Sequence, residues 1–165
     1  MSDDVERVWD LMEKISICML ASWNGRELSS RPMGAFVRRR NNAVYFLADA
    51  RDHKDDDIRN YPKVCLAFAD PGSERFVSLS GQAEVSADRS VIRDLWSTPA
   101  KAWWDSPDDP NIRMLKVTPT DAQYWEGPGK VVSSVKMAIA AATGQRPDMG
   151  DNEKVAMQSG TGRSA

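Results

Sequence analysis

A chain of 165 residues with a 41% apolar share is long enough to bury one core, and a single globular domain is expected. The formal net charge of −2 and a sequence pI of about 5.5 remove any general electrostatic drive toward nucleic acid or an anionic membrane. No apolar run reaches the roughly 18 residues a membrane span needs. The acidic start MSDDVERVWD has neither the basic nor the apolar region of a signal peptide, so a cytoplasmic protein is expected.

Residues 3–16 carry Val5, Val8, Met12 and Ile15 at three- and four-residue steps, which predicts an amphipathic helix. Ser2 or Asp3 is its expected cap, and Asp3, Asp4 and Glu6 suit its positive end. The nearly continuous apolar run Ile17–Trp23 predicts a buried strand. Asn24-Gly25 then predicts a type I′ hairpin, a turn that needs positive φ at both positions. One long strand is expected over residues 26–39. Pro32 inside it lacks a ladder donor and marks an edge or a bulge. Asn41-Asn42 predicts the next turn and residues 43–48 a third strand.

A short helix capped by Asp49 or Asp52 should run to Asn60 and end at Tyr61-Pro62. Strands are expected over residues 64–69 and 75–86, around the turn Asp70-Pro71-Gly72-Ser73. Gly81 signals a bulge or a close backbone approach. Asp88 caps a helix reaching about Trp96, and a loop rich in Trp, Pro and Asp covers residues 98–110. Two last strand-like runs, 112–118 and 122–126, precede an alanine-rich helix over 131–143. Strand-like runs joined by short hairpins, with only small helices between them, argue for an antiparallel barrel with peripheral helices. Residues 1–143, with both terminal helices, form the expected domain. Residues 144–165 form a polar tail, partly disordered, with the last ~10 residues the least ordered.

The stretch over residues 30–54, SRPMGAFVRRRNNAVYFLADARDHK, is the best place for a ligand. Arg31-Pro32 opens it and His53-Lys54 closes it. A strand, turn, strand and helix start between them can fold both cationic ends toward one pocket, with Phe36, Tyr45, Phe46 and Leu47 in between. A flat, mostly apolar small molecule bearing a phosphate would suit such a pocket. Arginine offers a planar fork, lysine a point charge, and the helix start free N–H groups. The competing reading is a surface arginine beside an edge strand and an ordinary solvated helix start.

Other groupings point less far. Arg38-Arg39-Arg40 alternates faces on a strand and reads as a solvated strand end rather than a nucleic-acid patch. Asp55-Asp56-Asp57 reads as helix N-terminal charge rather than a metal site, because adjacent helical residues do not face one another. Trp96, Trp103, Trp104 and Trp125 suit a core, a subunit interface or a lid over a flat ring, with the first two weighing more. Cys18 and Cys65, each in an apolar run, read as buried thiols of a reducing compartment. One histidine and no CxxC argue against a protein-only zinc site, and no metal is expected. A Ser-His-Asp site would have to use His53, and GxSxG, GxGxxG and GxxxxGK[ST] are all absent, so no catalytic residue is nominated.

Taken in order and spacing, LASWNGRELSSRPMGAF, VYFLADARDHKDDDIRNYPKVCLAFAD, FVSLSGQAEV, KVTPTDAQYWEGPG and AATGQRPDMGDNEKV resemble the FMN-binding split β-barrel superfamily. More narrowly, they resemble the general stress protein branch of the pyridoxamine 5′-phosphate oxidase-like proteins, over residues 5–157. The resemblance implies a mainly β fold with peripheral helices, a six-stranded antiparallel split barrel, and a homodimer with FMN at its interface. It places Arg31, Pro32 and Met33 along the strand beside the flavin, with Arg31 reaching the phosphate, and runs the backbone of Phe46, Leu47 and Ala48 past the ring. His53 and Lys54 match the polar pair on the phosphate, where a serine or arginine more usually precedes the lysine. Ser78 and Ser80 stand where the full oxidases carry a flavin-contacting glutamine. Trp103 or Trp104 would cover the ring from the partner subunit.

The C-terminal segment by which true oxidases bind substrate, with its Trp and Arg-x-His pattern, has no counterpart in this sequence. Flavin binding is therefore expected and pyridoxamine phosphate oxidation is not. The expected function is a stress-related, FMN-dependent oxidoreductase of unknown substrate. The alternatives are a non-catalytic flavin store or sensor, a deazaflavin or haem protein, and an interaction domain without cofactor.

Overall fold

The structure, a computed structural model, describes residues 2–52 and 54–157. Helix α1 (Asp3–Ile15) begins as predicted: the Ser2 hydroxyl accepts from the Val5 amide, and Asp3, Asp4 and Glu6 occupy the first turn. It buries Val8, Trp9, Leu11 and Met12 in the main core. Strands β1 (Ile17–Trp23), β2 (Leu28–Gly34), β3 (Phe36–Arg38), β4 (Ala43–Asp49), β5 (Lys63–Asp70), β6 (Arg75–Ser86), β7 (Ile112–Glu126) and β8 (Asp151–Ala156) form one antiparallel sheet. Its order is β2-β1-β5-β6-β7-β4-β3, with β8 pairing β7. The helices α2 (Lys54–Asn60), α3 (Arg89–Leu95) and α4 (Lys130–Thr143) lie where sequence placed them.

The eight-stranded sheet corrects the expectation of six strands, for local reasons. The run expected as one strand over residues 26–39 breaks at Ala35, whose N–H turns to the carbonyl of Ser16. There the chain leaves one end of the sheet order and enters the other, so β2 and β3 sit at opposite ends of a curled split barrel. The runs 112–118 and 122–126 are a single strand, β7, which absorbs a register shift opposite Ser80 and Gly81. A Cβ on Gly81 would lie 2.7 Å from the carbonyl oxygen of Thr118, so the predicted bulge and the predicted close approach coincide. The expected polar tail supplies β8, which lays Val155 into the main core, as does the following Met157. The rest of the tail, 158–165, falls outside the described residues.

The Asn24-Gly25 hairpin is also different in detail. Only Gly25 has positive φ, at 93°, and the connection spans four residues, 24–27. The Asn24 side chain accepts from the amides of Arg26 and Glu27, both at 2.9 Å, and this side-chain turn replaces type I′ geometry. Pro32 lies on β2, which ends the sheet order, as its missing donor requires.

Two cores position the site. The main core fills the barrel with Phe46, Leu20, Leu66, Phe68 and Leu79 beneath α1, and takes in Ile58 of α2. A second, smaller core lies on the other face of β4 and β7, where Tyr45, Ile112 and Met114 are covered by Ile92 and Leu95 of α3 and by Ala100 and Trp104. Burial on both faces explains why β4 reads as unbroken apolar sequence from Ala43 to Phe46. No helix among the described residues is long and apolar enough to cross a membrane.

Candidate ligand-binding cleft

Between β2 and β4 the barrel opens into a cleft of about 540 Å³, within the roughly 300–1,000 Å³ of small-molecule sites. Arg31, Pro32 and Met33 form one wall, and Leu47, Ala48 and Asp49 at the end of β4 form the facing one. The turn after β4 adds Arg51 and Asp52. The segment 98–104 closes the side with Pro99, Ala100, Trp103 and Trp104. Phe36 and Leu115 complete an apolar lining interrupted by charge at one end.

Arg31 is the cation that lines this lining without a salt bridge among the described residues. Burial pulls its pKa below the ordinary guanidinium value, and Asp52 and Asp57, acting through space, push it back. It remains fully charged at neutral pH. Arg51 is committed differently. It grips Asp49 with its backbone amide (2.9 Å to Oδ1), its Nε (2.8 Å to Oδ1) and its Nη2 (2.5 Å to Oδ2). The indole Nε1–H of Trp104 donates to the same carboxylate at 3.2 Å. The guanidinium, the Arg51 amide and the indole together hold Asp49 well below the usual carboxylate range, against the opposing effect of burial. Asp55, nearly buried at the helix start, faces Arg59 at 3.8 Å and Arg113 at 4.0 Å.

The nominated residues divide. Arg31, Pro32, Met33, Leu47, Ala48, Trp103 and Trp104 come together in the cleft. Trp104 is nearly buried against the second core, whereas Trp103 stands 78% exposed at the mouth. Phe46, nominated for its backbone, keeps its side chain out of the cleft. Strand alternation turns it the other way from Leu47, and it is fully buried in the main core. Ser78 and Ser80 do not line it either. They face a separate shallow groove with Asp121, Gln123, Lys154 and Ala156, and Ser78 Oγ lies 3.7 Å from Cys65 Sγ. Lys54 opens α2, its side chain lying outside what the structure describes, and His53 lies outside the described residues. Asp49, Asp55, Pro99 and Ala100 are cleft residues that sequence reasoning missed. Asp49 carries a sequence signal, an aspartate ending a strand two residues before an arginine, though the same pattern suits a helix cap.

A curled antiparallel sheet, split between β2 and β4 with a small-molecule-sized cleft at the split, defines a split β-barrel. A family model described as Pyridoxamine 5′-phosphate oxidase like matches residues 3–148, and the chain belongs to that family. It is 25% identical over 142 residues to general stress protein 26 of Bacillus subtilis, covering 82% of this chain and 97% of that protein. A solved structure assigned to general stress protein 26 from Jannaschia sp. CCS1 superimposes with a TM-score of 0.77 at 26% identity, covering 94% of this chain and 99% of the other. The general stress FMN/FAD binding protein of Xanthomonas citri matches with a TM-score of 0.67 at 23% identity over 76% of this chain and 90% of its own.

Proposed function

We propose that the cleft binds FMN and that the protein acts as a flavin-dependent oxidoreductase of the general stress type. The observation that carries this reading is a ligand-sized apolar cleft whose wall presents one arginine, Arg31, without a salt bridge among the described residues. The apolar side chains Met33, Leu47, Pro99 and Trp104 suit the faces of a flat ring, and a guanidinium suits a phosphate. Of the acidic residues in the lining, Asp49 is neutralised by Arg51, Asp55 faces Arg59 and Arg113, and Asp52 acts on Arg31 through space. The name of the Xanthomonas citri relative supports the same ligand class. When bound, FMN would supply the redox chemistry, while the residues of this chain bind, orient and exclude water.

The same reading includes a homodimer. Ile17, Met19, Trp23 and Leu28 lie exposed on β1 and β2, more apolar surface than a solitary barrel wall needs. Met19, Ala67 and Ser78 form one cross-strand row, so a partner covering this face would also bury the groove that holds Ser78 and Ser80.

The test is the visible spectrum of the purified protein, followed by titration of the colourless form with FMN. Flavin bands, or saturable binding, are the expected result. A protein that stays colourless and ignores added FMN would remove the reading. Bleaching of the bound flavin by NADH or NADPH then separates an enzyme from a flavin store.

A further inference from the structure

We propose that Asp49 is a positioning residue of this cleft, fixing the segment 98–104 as the wall that a bound ring meets; this rests on the flavin reading above. The segment carries Pro99, Ala100, Trp103 and Trp104 to the cleft. Its backbone hydrogen bonds are local, from Ala100 to Ser97 and from Trp103 and Trp104 to Ala100. Among the described residues, the one hydrogen bond joining it to the sheet is that from Trp104 Nε1 to Asp49 Oδ2, a link across 55 positions of sequence. Apolar packing against Tyr45 and Ile112 holds the segment down, but the hydrophobic effect is non-directional and does not by itself choose where the indole N–H points. The directional bond does.

Asp49 is suited to holding and to nothing else. Its two oxygens take four donors, three from Arg51 and one from Trp104. A carboxylate offers about four acceptor sites, so none is left for a ligand or a transferred proton. The three bonds from Arg51 fix the carboxylate, and the carboxylate fixes the indole. A cap role for the turn at Arg51 explains the amide bond alone. It does not explain a partner drawn from the far segment.

The experiment uses full-length protein labelled with fluorotryptophan, whose fluorine NMR spectrum reports the six tryptophans separately. Trp104→Phe, which keeps an aromatic ring and removes the N–H donor, assigns the Trp104 resonance. In Asp49→Asn without ligand, the Trp104 resonance is expected to shift and broaden, with Trp103 of the same segment free to follow, while Trp9, Trp23, Trp96 and Trp125 hold their places. FMN affinity should fall about tenfold or more in both variants, and the double variant should be no weaker than the weaker single one. Circular dichroism checks that Asp49→Asn folds; if it does not, the affinity of Trp104→Phe carries the test. An unmoved Trp104 resonance in Asp49→Asn, or FMN affinity within about twofold of wild type in the folded variants, overturns the proposal while the flavin reading stands. Wild-type protein that fails to bind FMN removes both.

Discussion

Replacing Arg31 by methionine separates a ligand-binding arginine from a structural one. The cation is part-buried and has no salt bridge among the described residues, and burial alone pulls its pKa down. A structural arginine would show the opposite signature, as Arg7 does, raised by its hydrogen bond to Glu126. Removing Arg31 therefore breaks no salt bridge among the described residues and relieves a desolvation cost that outweighs the through-space attraction of Asp52 and Asp57. The ligand-free protein should melt at the same temperature or slightly higher. Binding should behave differently. A charge-assisted hydrogen bond to a phosphate is worth about 1.5–3 kcal/mol, so FMN affinity should fall roughly 10- to 150-fold. Riboflavin, which has the ring and no phosphate, provides the control: its affinity should be unchanged. Flavin fluorescence titration of both ligands at two salt concentrations reads the difference, and Arg31→Lys should recover part of it by keeping charge without the planar fork. Equal losses for FMN and riboflavin, or a melting temperature lowered by several degrees, would refute the reasoning.

Three further outcomes follow from the core and the sheet. Burial, with a smaller contribution from Cys65, pushes the Cys18 thiol up to about 12, so Cys18 should resist a thiol reagent at neutral pH in the folded protein and react only once denaturant unfolds it, as a Cys65→Ser variant read by mass spectrometry would show. Burial and its hydrogen bond to Asp4 raise the Tyr124 phenol to about 12, above an unfolded value near 10. A folded pKa raised in this way stabilises fully below pH ~10 and less with each step toward 12, so the melting temperature should decline over that window, and Tyr124→Phe should flatten the decline. Gly81→Ala should destabilise by about 1–3 kcal/mol in denaturant titration, since its Cβ would meet the Thr118 backbone oxygen at 2.7 Å and Val117 Cγ1 at 2.8 Å.

Local chemistry made most of the elements legible. Ser2 and Asp88 cap helices where their side chains can reach a free amide. Pro32 sits where no ladder donor is required, and Gly81 where no Cβ fits. The misreadings concern decisions made by tertiary contact. Nothing in LSSRPMGAFVR marks Ala35 as the point where the chain changes edges, because both halves have strand propensity and only the Ser16 carbonyl decides the break. The residues 151–156 are charged and polar, and they become a strand by completing the exposed edge of β7 while Val155 and the adjoining Met157 enter the core. In the site, Arg31 and Trp104 were visible as residue types. Which side of the sheet Ser78 and Ser80 face was not, since a strand's inward parity depends on register.

The site follows from the way the barrel closes. A fully closed barrel leaves no strand edge. Here the chain crosses from one end of the sheet to the other at Ala35, and β2 and β4 come near each other without forming a ladder. Pro32 makes that tolerable, having no donor to leave unpaired, and it lines the cleft beside Arg31 and Met33. A gap between unpaired strands needs side chains or a ligand to fill it. The protein meets part of that need with Trp104, turned by Asp49 and packed from behind by the second core. What remains is an apolar slot with a guanidinium on its wall. Closure and binding are thus one structural decision, and a substitution that let β2 pair with β4 should stabilise the barrel while abolishing the cleft.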